Sequence, residues 1–249
     1  MDIHPVKIAF ITDLHIDNPG VILSGRDTRR QLLEVIQHIS ERSFDCIILG
    51  GDLCNATGDT DIYHWIKDLF EEHNLTVYPI PGNHDSSILL SKVFGLNENL
   101  RDGNLYYQVG IRNINMCMLD SSLGVFNDPQ WNWLEEYILK SERYVYIFMH
   151  HPPVISGSKH MEPKYMFREM GRFQQLCQQY PEKTFFITTG HYHMEKTIVQ
   201  NNLHIYISPS TYLQINPEKE DFQIMPAYYG YRNITISENG TFQTNAVYL

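Results

Sequence analysis

The sequence predicts an α/β protein in which two packed β-sheets are covered by helices. Short apolar runs rich in β-branched residues alternate with helical segments in the first half of the chain, a pattern typical of strand-helix-strand units that build a largely parallel sheet. The second half contains more strands, which indicates a second sheet packed on the first. The whole chain of 249 residues contains no linker, repeat or low-complexity tract, so we expect one domain over residues 1–249.

Periodicity places the individual elements. Three buried strands of the first half are predicted at residues 6–11, 46–49 and 75–80. Helices are predicted between them at 29–40 and 61–73, where apolar residues recur at helical spacing. In the second half we expect strands at 105–109, 114–119, 144–149, 184–187, 204–207 and 231–236, and helices at 130–139 and 168–179.

Composition narrows the classes of partner. The chain has 19 basic and 29 acidic residues, a net charge of −10, which argues against broad attraction to a nucleic acid polymer or an anionic membrane. A small substrate is therefore favoured. The 4 cysteines form no C-x-x-C pair, which predicts reduced thiols. Neither a signal-like N-terminal segment nor a run of membrane-spanning length is evident in the sequence, so we expect a cytoplasmic protein that does not enter a membrane.

Polar motifs follow the predicted strands. They contain, in chain order, Asp13 and His15, then Asp52, then Asn83 and His84, then His150 and His151, and finally His191 and His193. Each motif lies just past the C-terminal end of a strand, which is where open α/β sheets place their ligand sites. Five loops are therefore expected to converge on one edge of the fold.

These motifs supply metal donors. Two carboxylates, four imidazoles and one amide oxygen suit borderline-soft transition metals: Asp13, Asp52, His15, His150, His191, His193 and Asn83. Seven ligands are too many for one tetrahedral ion, but two ions that share a bridging carboxylate would keep open positions for water and substrate. Asp52 is the natural bridge, because its carboxylate offers two oxygens and the preceding glycines allow the backbone to come close.

In this order, D-x-H, G-D, G-N-H-D, H-x-P and G-H-x-H resemble the motifs of the calcineurin-like metallophosphoesterases. The resemblance implies a four-layer αββα sandwich of two mixed sheets flanked by helices. It also implies two transition-metal ions, such as Fe, Mn or Zn. Asp13, His15, Asp52 and His193 would hold the first ion, and Asp52, Asn83, His150 and His191 the second. His84 would not be a ligand, but would contact the phosphate and assist departure of the leaving oxygen.

Later segments are similar to those of bacterial class III cyclic-nucleotide phosphodiesterases: residues 119–121, 130–134 and 208–211, and a strand pair after Gly230. This resemblance implies hydrolysis of a small phosphodiester, such as 3′,5′-cyclic AMP or a 2′,3′-cyclic nucleotide, by a metal-bridging hydroxide that attacks phosphorus. A glycerophosphodiesterase and a broad phosphodiesterase or phosphatase stay open as alternatives. A binding scaffold of the same fold is a further alternative, which the full set of donors disfavours.

Other residues are expected to support the site. Asn83, His84 and His193 are predicted to contact the substrate. Asn55 and His151 are candidates to orient a ligand or a water molecule, although Asn55 also suits an ordinary turn. His160 lies on a polar loop and is more typical of a solvated residue than of a substrate contact. Tyrosines near the C-terminus, such as Tyr212, are more typical of core or interface than of a base-stacking face, and they permit a homodimer.

Overall fold

The computed structural model describes residues 4–226 and 228–249. The expectation that the N-terminus is not signal-like rests partly on residues 1–3, which lie outside the described residues. The strands are Val6–Ile11 (β1), Cys46–Leu49 (β2), Val77–Pro79 (β3), Leu100–Arg101 (β4), Asn104–Leu105 (β5), Tyr107–Ile111 (β6), Ile114–Met118 (β7), Tyr144–Phe148 (β8), Thr184–Thr189 (β9), Lys196–Gln200 (β10), Leu203–Ile207 (β11), Gly230–Ile236 (β12) and Phe242–Tyr248 (β13). The helices are Thr28–Ser40 (α1), Thr60–Glu72 (α2), Ser87–Val93 (α3), Asp128–Lys140 (α4), Glu162–Tyr165 (α5) and Met170–Gln178 (α6), with a 3-10 helix at Asn97–Asn99.

Two mixed sheets form the centre of the fold. The first has the strand order β13-β12-β1-β2-β3, with β1, β2 and β3 parallel. The second has the order β10-β11-β9-β8-β7-β6, with β11, β9, β8 and β7 parallel. Helices α1 and α2 cover the first sheet, and α4 and α6 cover the second. The predicted four-layer αββα arrangement is therefore confirmed.

The side chains of β8 alternate between the two faces of the second sheet, and so contact both the helices and the first sheet. Val145 and Ile147 pack toward the helices of the second sheet, whereas Tyr146 and Phe148 point toward the first sheet. Phe148 meets Phe10 of β1 with 5.9 Å between ring centroids. Successive side chains of a strand point to opposite faces, so a wholly apolar strand can serve both layers.

The helices begin where the sequence provides capping side chains. Asp27, Asp59 and Asn127 each accept backbone N–H groups from the first turn of α1, α2 and α4. Such caps satisfy donors that have no partner inside the helix. The observed starts at residues 28, 60 and 128 lie within two residues of the predicted ones.

The C-terminal strands differ from the simple expectation that the second half forms the second sheet. β12 pairs with β1, and β13 pairs with β12, so both belong to the first sheet. Within the described ranges, no helix combines the length and apolar character needed to cross a membrane. The parallel strands β1, β2 and β3 of one sheet and β8 and β9 of the other end at the same edge of the sandwich, where the predicted donors lie.

Candidate metal centre

The polar residues that follow the strands meet around two buried carboxylates, Asp13 and Asp52. Nε2 of His193 lies 3.3 Å from Oδ1 of Asp13, and Nε2 of His150 lies 3.2 Å from Oδ2 of Asp52. Nε2 of His15 lies 3.1 Å from Nε2 of His193 and 3.8 Å from Oδ2 of Asp52. Five predicted ligands, from four separate loops, therefore form one cluster of donor atoms.

The donor atoms divide into overlapping groups in which all atoms lie within 4.8 Å of one another. The groups are Asp13, His15 and His193; His15, Asp52 and His84; and Asp52, His150 and His191. Asp52 lies close both to a member of the first predicted ligand set and to the histidines of the second. This is the position that a bridging carboxylate requires.

Three of the histidines are oriented by backbone carbonyl groups. In each case one ring nitrogen faces a carbonyl oxygen: Nδ1 of His150 at 2.8 Å from Gly50, Nδ1 of His193 at 2.9 Å from Leu213, and Nε2 of His191 at 2.8 Å from Tyr165. A carbonyl oxygen only accepts, so these nitrogens carry the hydrogen and the opposite nitrogens keep a lone pair in the neutral ring. Metal-binding histidines are typically oriented in this way.

Five of the predicted ligands have a left-handed backbone, with φ of 55° at Asp13, 46° at His15, 51° at Asp52, 68° at His191 and 48° at His193. For residues other than glycine this conformation costs about 1–3 kcal/mol and persists only where the surroundings fix it. Here the N–H of Asp13 donates to the carbonyl of Gly51 at 2.9 Å, and that of His15 donates to Asp52 at 3.0 Å. These bonds join the loops that follow β1 and β2.

The two carboxylates are ionised despite their burial. Burial alone would raise the pKa of Asp13, but His193 and His150 outweigh it and lower that pKa below its usual value. Burial would likewise raise the pKa of Asp52, whereas His150 and His15 hold it well below the ordinary range. The centre therefore presents two negative charges to a cation.

The histidines differ in their affinity for protons. Burial and the neighbouring His193 lower the pKa of His15 to about 3, and burial and His150 lower that of His191 to about 4. Both rings are neutral near pH 7 and keep a lone pair for a metal. Burial lowers the pKa of His150 as well, but the charge of Asp52 raises it to about 9. A metal ion would displace that proton, because ligands bind in their deprotonated form.

The loop after β3 carries Asn83 and His84. Asn83 is exposed at the mouth of the centre. The backbone N–H of His84 donates to Oδ1 of Asp52 at 2.9 Å, which ties this loop to the carboxylate. Nδ1 of His84 lies 3.2 Å from the carbonyl oxygen of Ala56. Because His84 also lies within reach of His15 and Asp52, distance alone does not separate a metal-binding role from a phosphate-binding role.

The two candidate supporting residues make different contacts. Nδ2 of Asn55 donates to Oδ2 of Asp17 at 2.8 Å, so its amide group engages Asp17, a residue outside the predicted ligand set. Nδ1 of His151 lies 3.1 Å from Oγ of Ser121, and its ring centroid lies 4.0 Å from that of His191. The ring of His151 therefore packs against that of His191.

Asp85, which the sequence analysis did not single out, connects two loops beside the centre. Its carboxylate accepts hydrogen bonds from four groups: the backbone N–H of Gly82 at 2.9 Å, of Leu53 at 3.2 Å and of Cys54 at 3.3 Å, and the hydroxyl of Tyr63 at 2.9 Å. Burial and the charge of Asp52 raise its pKa to about 6. Asp85 joins the loops after β2 and β3 and so positions His84. Its place at the end of G-N-H-D was the available signal.

A cavity of about 420 Å³ opens over the donor cluster. Its walls are mostly apolar: Met161, Tyr165, Tyr212, Leu213, Ile215 and Phe222. Among the described residues, its lining includes no lysine or arginine. An adjoining cavity of about 310 Å³ also touches Tyr165 and His191, and it contains Lys164 and Arg168. A phosphate at the donor cluster would therefore lie between an apolar and a basic chamber.

The donor set fits metal ions on two observations. Nδ1 of His191 is buried and has no hydrogen-bond partner within residues 4–226 and 228–249, and the buried Nε2 of His150 faces only the carboxylates. In addition, the closest donor pairs lie 3.1, 3.2 and 3.3 Å apart. Two nitrogen or oxygen ligands held at about 2.1 Å from one ion are about 3 Å apart when they lie at right angles. The cluster thus has both the buried nitrogen donors and the spacing that coordination requires.

Comparisons with known proteins agree with this chemistry. A profile described as calcineurin-like phosphoesterase matches residues 6–195. A protein of Fibrobacter succinogenes, named probable cyclic nucleotide phosphodiesterase, is 32% identical over 98% of this chain and 93% of its own. A 3′,5′-cyclic adenosine monophosphate phosphodiesterase of Vibrio vulnificus is 26% identical, and the match covers 96% of this chain and 88% of the relative. A protein of Arcobacter nitrofigilis, named probable glycerophosphodiester phosphodiesterase, is 27% identical, and the match covers 82% of this chain and 78% of the relative.

Among solved structures, a dimetal phosphatase from Danio rerio superimposes with a TM-score of 0.67 and covers 98% of both chains. Its sequence is 13% identical to this one, so the likeness concerns the fold alone. It agrees with the two-sheet arrangement described above.

Gly82 offers a test of how closely the loops must approach. A Cβ atom at this position would lie 2.3 Å from both the backbone nitrogen and Oδ1 of Asp52. We expect Gly82→Ala to displace Asp52 and reduce kcat/KM about 100-fold, because a misplacement of about 1 Å at a reacting centre has an effect of this size. Bound metal, measured by inductively coupled plasma mass spectrometry, should fall as well.

Gly171→Ala is the matched control. A Cβ atom there has no neighbour within 4 Å, and the residue lies in α6, where alanine is the better helix former. Activity and metal content should match those of the unchanged protein. Full metal content and full activity in Gly82→Ala would contradict the proposed contact between this loop and Asp52.

Proposed function

The chain belongs to the calcineurin-like phosphoesterase family and is a metal-dependent phosphodiesterase, and we propose that its substrate is a cyclic nucleotide hydrolysed at a two-metal centre. The observation that carries the two-metal assignment is the pair of histidine groups on either side of Asp52. The names of the relatives from Fibrobacter succinogenes and Vibrio vulnificus support the cyclic nucleotide.

The ligands would be shared between two ions. Asp13, His15, Asp52 and His193 would hold one, and Asp52, Asn83, His150 and His191 the other. The close spacing within the first set and the grouping of His150 and His191 with Asp52 support this division. Bound ions would polarise the phosphoryl oxygens and lower the pKa of water at the centre, so that water becomes a nucleophile near neutral pH. The ions themselves, whether iron, manganese or zinc, are not distinguished by this donor set.

The protein's own groups would place and protonate the substrate. His84 faces the cavity and is held through Nδ1 by the carbonyl of Ala56, which leaves Nε2 to meet a phosphate oxygen. In its cationic form, with a hydrogen on each ring nitrogen, the imidazole would donate the Nε2 proton to the departing oxygen as a general acid. Asn83 and His193 line the same cavity and would contact the substrate from either side.

A monoanionic diester suits this cavity better than a dianionic monoester. The part of its lining that the structure describes includes no lysine or arginine to balance a second negative charge. A glycerophosphodiester is the second candidate, because the relative from Arcobacter nitrofigilis carries that name and the basic chamber beside the centre could hold a polar arm. The mostly apolar wall favours the nucleotide. A binding scaffold without metal would not require histidines that are oriented by backbone carbonyl groups, so this alternative is disfavoured.

The four cysteines are free and buried, which supports a reducing compartment such as the cytoplasm. Burial raises the pKa of the Cys46 and Cys54 thiols to about 12, so both are protonated and unreactive at neutral pH.

A substrate panel tests the proposed function. Metal-loaded protein would be assayed with 3′,5′-cyclic AMP, a 2′,3′-cyclic nucleotide, glycerophosphocholine and AMP as the matching monoester. We expect the highest kcat/KM with one of the cyclic nucleotides, and slower turnover of AMP. A higher kcat/KM with glycerophosphocholine would favour the second candidate. Equal or faster turnover of AMP would contradict the preference for diesters.

Asn83 and His84 are adjacent but are assigned different roles, which gives a paired test. Asn83→Ala should lose the second ion, because a ligand is removed. His84→Ala should keep both ions and lower kcat about 100-fold or more, as expected for the loss of a general acid. Metal content per chain, measured beside kcat, separates the two. Loss of an ion from His84→Ala would contradict the assignment of His84 to the phosphate.

A further inference from the structure

Three aromatic side chains form a wall beside the donor cluster: Tyr165, His160 and Phe222. The ring centroid of His160 lies 5.7 Å from that of Phe222 and 6.3 Å from that of Tyr165, so the rings form a continuous row. All three line the cavity that contains the donors. We call this row the aromatic wall. Phe222 lies beyond residue 195, where the family match ends.

The aromatic wall is attached to the metal-binding loop at two points. The carbonyl of Tyr165 accepts the Nε2 hydrogen of His191 at 2.8 Å. On the other side, the N–H of Ile215 donates to the carbonyl of His193 at 2.8 Å, and it begins a short hairpin in which Ile215 pairs with Ile224. Phe222 projects from this hairpin. A ligand on the wall would therefore lie at a fixed position relative to a phosphate at the donors.

The two segments that carry the wall are also fastened to each other. The N–H of Lys159 donates to the carbonyl of Pro217 at 2.9 Å, and Nδ1 of His160 lies 2.9 Å from the carbonyl oxygen of Glu220. His160 itself is 9% exposed, so its ring is a fixed backing for its neighbours. A wall that is already ordered loses little entropy when a ligand binds.

The outer rings are left open to the cavity. Phe222 is 53% exposed and Tyr165 is 48% exposed, although most large aromatic side chains of this protein are buried. Exposed apolar surface beside a polar centre is characteristic of a binding site. A flat ligand that stacks on these rings would cover that surface, and the bases of nucleotides are bound in this way.

We propose that the aromatic wall of Tyr165, His160 and Phe222 stacks the base of a nucleotide whose phosphate lies at the donor cluster. This inference rests on the proposed function, because it names the residues that would recognise the organic part of a cyclic nucleotide. Stacking does not read the edges of a base, so the wall accounts for a preference for nucleotides over glycerol diesters more than for one base over another.

The test compares binding with and without a base. The affinities of AMP and ribose 5-phosphate for metal-loaded protein would be measured by isothermal titration calorimetry. We expect AMP to bind at least about fivefold more tightly, which corresponds to about 1 kcal/mol of stacking. Phe222→Leu should abolish most of that difference and leave the affinity for ribose 5-phosphate unchanged, while Phe222→Tyr should retain it. Tyr165→Leu provides a second variant on the opposite side of the wall.

Tyr228→Leu is the matched control, because Tyr228 is 64% exposed but does not line the cavity. Equal affinities for AMP and ribose 5-phosphate in the unchanged protein, or an undiminished preference in both Phe222→Leu and Tyr165→Leu, would overturn the inference. The proposed function is judged separately by turnover of cyclic AMP. If Phe222→Leu raises the KM for cyclic AMP and keeps kcat within about twofold, both proposals are supported. If the unchanged protein prefers AMP but does not hydrolyse cyclic nucleotides, the wall stands and the proposed function fails.

Discussion

The burial of two ionised carboxylates, Asp13 and Asp52, is the constraint on which the centre depends. A buried charge costs several kcal/mol unless it is paired and hydrogen-bonded. Around Asp13 the compensation comes from His193 and from the backbone N–H of His191, which lies 3.1 and 3.0 Å from its two oxygens. Around Asp52 it comes from His150 and the N–H of His84. These partners come from the loops after β3, β8 and β9, whereas the two carboxylates follow β1 and β2.

The loops that carry the donors adopt an unfavourable backbone conformation, which the adjoining sheets stabilise. Left-handed backbone at five donor residues is unfavourable by itself, but the rigid ends of β1, β2 and β9 hold it. The segment after β11 contributes as well, because Oγ of Ser210 donates to the carbonyl of Asp13 at 3.0 Å and the N–H of Thr211 donates to Thr12 at 3.0 Å. The segment that leads from β11 to Phe222 of the aromatic wall is thus hydrogen-bonded to the loop that carries Asp13.

Local patterns predicted much of this architecture. Strand and helix periodicity located most elements within a few residues, and the family resemblance is confirmed by the match over residues 6–195. β10 was not predicted because its side chains are mostly exposed and lack an apolar pattern. Helix α3 was not predicted because its 7 residues are too few to show a clear helical periodicity.

Contacts between distant parts of the chain could not be predicted. His160 was expected to be a solvated loop residue, which proved wrong, because its ring is packed between Tyr165 and Phe222. Phe222 follows it by 62 residues, and neither residue carries a pattern that indicates the other. Tyr212 packs against the second core, as expected, and also lines the cavity. The tautomers of His150, His191 and His193 depend likewise on carbonyl groups from other segments.

The account rests on Asp52 lying between two ions with His84 bound to neither. The most direct measurement is diffraction from crystals of manganese-loaded protein, with data collected at the manganese absorption edge. We predict two anomalous peaks about 3.5–4 Å apart, with one carboxylate oxygen of Asp52 in contact with both and the ring of His84 outside the coordination distance of either. A single peak in fully loaded protein, or a bond from Nε2 of His84 to an ion, would contradict it.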